Sequence, residues 1–166
     1  MLRMSKLTDY GTLVMVHLAR EPARVHAATE IAQSVRIAVP TVTKVLKILA
    51  RDGLLQSHRG TKGGYVLAID PADVSLARVL EAMEGPLRLT ECGSAPGRCQ
   101  QESTCSTRGN WQFINNVVMD ALRNVSLAQM AAPQAQPVRM ETRRRTAAAG
   151  AGRARTAADE TKTETA

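Results

Sequence analysis

Between Ala28 and Ala68 the hydrophobic period of the chain changes from helical to strand-like, and the order of segments leaves few folds open. Ile31 and Val35 stand about one turn apart, which predicts a short helix over Ala28–Val35. Arg36, Ile37, Ala38 and Val39 follow as a turn. Pro40 then opens another helix, where its missing N–H costs no hydrogen bond. Val42, Val45, Leu46 and Leu49 repeat at i, i+3, i+4 and i+7 and form the stripe to be buried. Thr41, Lys44, Lys47 and Arg51 fall on the opposite, polar face, and Gly53 stops the helix. Two apolar-containing runs, Leu54–Arg59 and Tyr65–Ala68, then flank Gly60-Thr61-Lys62-Gly63-Gly64, the pattern of a β-hairpin. Short helix, turn, basic-faced helix and hairpin together are the order of a winged helix-turn-helix.

The flanking segments are helical too. Leu7, Tyr10, Val14 and Leu18 share one stripe of a helix over Leu7–Arg20, ended by Glu21-Pro22. Leu76, Val79, Leu80 and Met83 form the apolar face of a helix over Ser75–Glu84, stopped by Gly85-Pro86. Further on, Trp111, Ile114, Val118, Ala121, Val125 and Ala128 alternate by three and four residues. This predicts a long helix over 110–130 with a coiled-coil-like seam of about two and a half heptads. A narrow seam of this kind suits a homodimer; packing against its own domain is the alternative. From residue 131 onward Ala, Thr, Arg and Pro dominate, with seven basic residues against four acids, which predicts a disordered basic tail.

The expected architecture is mainly α: a winged helix-turn-helix with a two-stranded wing and a long C-terminal dimerisation helix. Residues 1–70 form the winged domain, 71–90 a linking helix, 91–109 a cysteine loop, 110–130 the dimerisation helix and 131–166 the tail. Only four of 166 residues are aromatic, so the core must be aliphatic.

Charge is concentrated where the helix-turn-helix lies. Arg36, Lys44, Lys47, Arg51, Arg59 and Lys62 are offset only by Asp52, which gives this stretch +5 of the chain's formal +7. An anionic polymer is the natural partner of such a segment, and a solvated basic face the alternative. The start of the second helix of the motif suits base edges in a major groove, which places Pro40, Thr41 and Thr43 there. Lys44, Lys47 and Arg51 are better placed for phosphates. Arg59 and Lys62, beside Gly63 in a thin turn, suit a minor groove. The expected partner is double-stranded DNA with a palindromic operator.

No run of about eighteen apolar residues is present, and Met1–Lys6 has no apolar leader segment, so the expectation is a cytoplasmic protein with no membrane partner. A phosphate loop, a paired acid and base, and a nucleophile motif are all missing, which argues against an enzyme and a small-molecule substrate.

Cys92, Cys99 and Cys105 are the only cysteines, with gaps of six and five residues. An odd number in one short segment does not suit a disulfide framework. Thiols gathered in a loop suit a metal or redox site, and this spacing does not match the paired cysteines of zinc ribbons. Gly93, Pro96 and Gly97 would let the thiols converge outside regular structure. Four readings remain open here: an iron–sulfur cluster, a cluster-free thiol sensor that forms a reversible disulfide, a zinc-binding structural module, and unligated thiols in a ligand-free DNA-binding protein.

Leu7-Thr8-Asp9-Tyr10-Gly11, Asp52-Gly53-Leu54, Arg59-Gly60-Thr61-Lys62-Gly63-Gly64-Tyr65 and the three cysteines before a long helix occur in order and in register. In these pieces the sequence, over about residues 1–130, resembles the iron–sulfur-sensing winged-helix regulators of the IscR and NsrR kind. It looks most similar to the branch that regulates the SUF iron–sulfur assembly operon. The resemblance implies a homodimer joined through the helix near Trp111, DNA contacts from Arg59 and the exposed side of the reading helix, and repression. It also implies a [2Fe–2S] or [4Fe–4S] cluster on Cys92, Cys99 and Cys105. Some relatives supply a histidine three residues after the last cysteine; here that residue is Arg108, which cannot ligate iron. Relatives that sense nitric oxide use an aspartate in the first helix of the partner subunit, and Asp9 matches it. A charge favoured by the helix dipole is the alternative role for Asp9, and Glu91 and Glu102 are further candidates.

Overall fold

The computed structural model describes residues 4–60, 63–90, 99–101 and 103–133. Cys92, Lys62, Glu91, Glu102 and nearly all of the expected tail lie outside the described residues.

Among the described residues, six helices and a hairpin follow one another: α1 (Lys6–Ala19), α2 (Ala28–Val35), α3 (Val39–Arg51), β1 (Leu55–His58), β2 (Gly64–Leu67), α4 (Leu76–Glu84), α5 (Arg108–Arg123) and α6 (Leu127–Ala131). Local chemistry sets most of their ends. Ser5 caps α1 by accepting from the Thr8 N–H, and Ser75 does the same for α4 through the Arg78 N–H. Pro40 sits in the first turn of α3. Gly53, at φ 79°, turns the chain out of α3 into the wing. Arg36 ends α2 in the left-handed region at φ 56°, a conformation that a side chain adopts only at a cost.

The core is aliphatic, as the composition requires. Val14, Met15 and Leu18 of α1 meet Ile31 and Ala32 of α2 and the whole predicted stripe of α3. Leu54 and Leu55 close one side from the base of the wing, and Val74, Val79 and Leu127 another. Burial at about 25 cal/mol per Å² of apolar surface is what holds these short helices, because in isolation they are too short to persist.

β1 and β2 pair antiparallel, with Leu55 opposite Leu67 and His58 opposite Gly64. The wing is anchored by more than its own ladder. His26, 1% exposed, exchanges two 2.9 Å backbone hydrogen bonds with Tyr65, so the α1–α2 connection runs beside β2. A Cβ on Gly64 would stand 2.3 Å from the His26 carbonyl oxygen, which is why this position has no side chain. The rings of His17 and His26 meet edge to face at 5.5 Å, and burial, then the charge of His26, push His17 below the usual histidine range.

The C-terminal helix departs from expectation. It ends at Arg123 rather than running through 110–130. Ser126 starts a separate helix with a complete capping box: its hydroxyl accepts from the Gln129 N–H, and the Gln129 side chain accepts from the Ser126 N–H. The break buries Leu127 in the core beside Val74. It also pairs residues 125–127 with 74–76, through Leu76 N–H to Val125 O at 2.8 Å and Leu127 N–H to Val74 O at 2.7 Å. A continuous helix would forgo both gains. Val125 therefore lies in a connector and not on α5.

Candidate nucleic-acid interface and thiol loop

The apolar stripe of α3 is fully buried, so its opposite face is forced outward. Lys44, Lys47 and Arg51 are exposed along it. Pro40, Thr43 and Ile48 join them around a shallow concavity of the surface. Thr43 donates its hydroxyl hydrogen to the Val39 carbonyl at 2.9 Å, which leaves it an acceptor and a methyl to present. Thr41 and Thr43 are both half-buried at the start of the helix. Ala38 at the N-cap offers no side-chain acceptor, but its carbonyl accepts from the Thr41 N–H at 3.0 Å and the Val42 N–H at 3.1 Å, and Pro40 has no N–H to satisfy.

The wing supplies a further exposed cation, Arg59, beside Gly60 at φ 110°. Gly63 closes the turn by donating to the Gly60 carbonyl at 2.9 Å, and a Cβ there would lie 2.5 Å from the His58 carbonyl oxygen.

Cys99 and Cys105 are unpaired thiols, each half-exposed. The Cys105 sulfur lies 3.4 Å from the Thr107 hydroxyl, and hydrogen bonds from Thr107 hold this thiol below its ordinary pKa, with a smaller contribution from Arg108. These donors fit an iron–sulfur cluster in their chemistry: accessible thiols, one of them already biased toward thiolate. Among the described residues, three or more His, Cys, Asp or Glu side chains do not gather into a ligand set. Asp9 is exposed on α1 and lines a cavity of about 510 Å³ with Thr12, Asn115 and Val118. The N-terminus of α1 that carries it is tied to the end of α4. The Glu84 carboxylate accepts from the Ser5 N–H at 2.9 Å and from the Thr8 hydroxyl, and the Ser5 side chain first, then the Thr8 hydroxyl and the Ser5 N–H, hold Glu84 below the usual carboxylate range.

On α5 the exposed apolar face differs from the predicted seam. Phe113 is 69% exposed and Val117 53%, and neither was in the seam; Trp111 and Ile114 were, and are 41% exposed each. Ala121 is exposed, whereas Val118 is half-buried and turned toward the cavity. The spacing of Phe113, Val117 and Ala121 by four residues was the signal available in the sequence.

Comparison with known proteins agrees with this geometry. A helix-turn-helix transcriptional regulator of Neisseria meningitidis serogroup A is 38% identical over 79 residues, which span 48% of this chain and 53% of the relative. The chain thus matches about half the length of that relative. Among solved structures, CymR, the global cysteine regulator of B. subtilis, is similar with a TM-score of 0.65 and 26% identity over 79% of this chain and 97% of its own. IscR of T. potens gives a TM-score of 0.61 and 25% identity over 78% of this chain and 85% of its own. The profile of the Rrf2 family, described as iron-dependent transcriptional regulators, matches residues 4–133, so the chain belongs to the Rrf2 family.

Proposed function

We propose that the protein is a DNA-binding transcriptional repressor, dimeric on a palindromic operator, whose affinity depends on an iron–sulfur cluster held by Cys92, Cys99 and Cys105. The carrying observation is the exposed row of Lys44, Lys47 and Arg51 on a helix whose other face is buried, beside Arg59 in the wing. Cations on this exposed face suit the phosphates flanking a major groove, and Pro40, Thr41 and Thr43 are the proposed contacts to base edges. The exposed apolar face of α5 supports a homodimer. Resemblance to the regulators of iron–sulfur assembly supports a SUF-type operon as target.

When bound, the cluster would supply metal–thiolate bonds that respond to iron supply and oxidants. Asp9 of a partner subunit is the proposed fourth ligand, a weaker one than a thiolate. Cys105 stands three residues before α5, and α5 packs on α4. How the thiols are held is thereby passed to the helix that joins the protomers.

The test is an anaerobic visible spectrum with iron and acid-labile sulfide content, for the wild type and for Asp9→Ala. Charge-transfer bands with matching iron and sulfide are expected, with faster cluster loss in Asp9→Ala. A colourless, iron-free protein even after anaerobic reconstitution would overturn cluster control and leave DNA binding standing. A second proposal, a reversible disulfide between two of the cysteines, is favoured by the free, thiolate-biased Cys105 and by the likeness to CymR. Loss of two thiols under mild peroxide in the iron-free protein, restored by a dithiol, would distinguish it.

A further inference from the structure

We propose that Arg78 is a positioning residue for DNA reading: it links the connector after α5 to the hinge between the reading helix and the wing. The inference rests on the DNA-binding proposal above. Asp52 caps the C-terminus of α3, and Gly53 then swings the chain into the wing. Arg78, on α4 and 26 residues away, reaches this hinge with both arms of its guanidinium. One nitrogen donates to the Asp52 backbone carbonyl at 2.8 Å, and another pairs with the Asp52 carboxylate. A cation at this place also suits the negative end of the α3 dipole.

The other end of the link is as well defined. Arg78 lies in the first turn of α4, where its own N–H is held by the Ser75 hydroxyl at 3.2 Å. Ser75 and Leu76 are bridged to Ser126 and Val125, the connector that follows α5. A shift at the end of α5 therefore moves the first turn of α4, and Arg78 transmits it to the residues that set the angle between α3 and the wing. Both partners are part-exposed, at 44% and 34%. A pair between part-exposed side chains adds only modestly to folding stability, even with the Asp52 Oδ2 atom itself buried, so its main consequence is orientation.

The test uses the full chain and two probes: a duplex selected from a random-sequence pool on the wild type, and an unselected duplex. The readout is the ratio of their affinities for Arg78→Ala, Asp52→Asn and the double variant. The two single changes alter net charge in opposite directions, so simple attraction to DNA moves them oppositely on the unselected duplex. The selectivity ratio is expected to fall in both, about tenfold in Arg78→Ala, with the double variant no worse than Arg78→Ala alone. Urea midpoints are expected to stay close to wild type. Unchanged ratios, additive losses, or ratios that follow net charge would overturn the role of Arg78 and leave DNA binding intact. If the wild type enriches no sequence from the pool, the DNA-binding proposal fails, and the role of Arg78 with it.

Discussion

Replacing Lys44, Lys47 and Arg51 together by alanine is expected to weaken binding to any duplex about a hundredfold at moderate salt. Each contributes a charge-assisted hydrogen bond, discounted to about 1 kcal/mol for its exposure, and about 2.7 kcal/mol is a hundredfold. The slope of log affinity against log salt should flatten by about 0.9 for each phosphate that is no longer neutralised. Fluorescence anisotropy over a salt series gives both numbers. Stability should hardly move, because none of the three side chains is in the core. An unchanged slope would mean that the basic face of α3 does not touch phosphates.

Leu46→Ala, on the other face of the same helix, is expected to do the reverse. Leu46 is fully buried between α1 and its own stripe partners. Truncation removes packed methyl groups and leaves a cavity, at a cost of about 2–5 kcal/mol. Against a total of about 5–15 kcal/mol for an ordinary domain, this is a large share. Urea denaturation should show the midpoint fall, while Lys47→Ala, the next residue, stays within about 0.5 kcal/mol of wild type. Equal, small effects from both would mean that α3 is not packed as described.

These two outcomes concern the part of the molecule that was most legible in the sequence. The stripe Val42, Val45, Leu46 and Leu49 has one period and one environment, so the faces of α3 followed from spacing alone. Pro40, Gly53 and the glycines of the wing punctuated it. The 110–130 segment was less legible. Trp111, Ile114, Val118, Ala121 and Val125 do fall at heptad spacing, but a stripe cannot say which apolar residues face the domain's own core. Val118 turns inward to the cavity, and Phe113 and Val117 are left outside. The Ser126–Gln129 capping box was visible as residues, yet what ends α5 is the burial of Leu127 and the pairing of 125–127 with 74–76. Pairings of that sequence separation leave no periodic trace. The link from Arg78 to Asp52 was hidden for the same reason. In the candidate site, the cysteines and Asp9 were legible as residue types, but not how a thiol such as Cys105 would be tuned by its neighbour Thr107.

The most direct measurement of cluster-controlled DNA binding compares one selected duplex with the same protein before and after its iron is stripped anaerobically, by fluorescence anisotropy. The expected result is a change in affinity of tenfold or more, about 1.4 kcal/mol of coupling, that disappears when Cys92, Cys99 and Cys105 are all replaced by alanine. Equal affinities for the iron-loaded and stripped forms, with iron and sulfide shown to be present in the first, would contradict it.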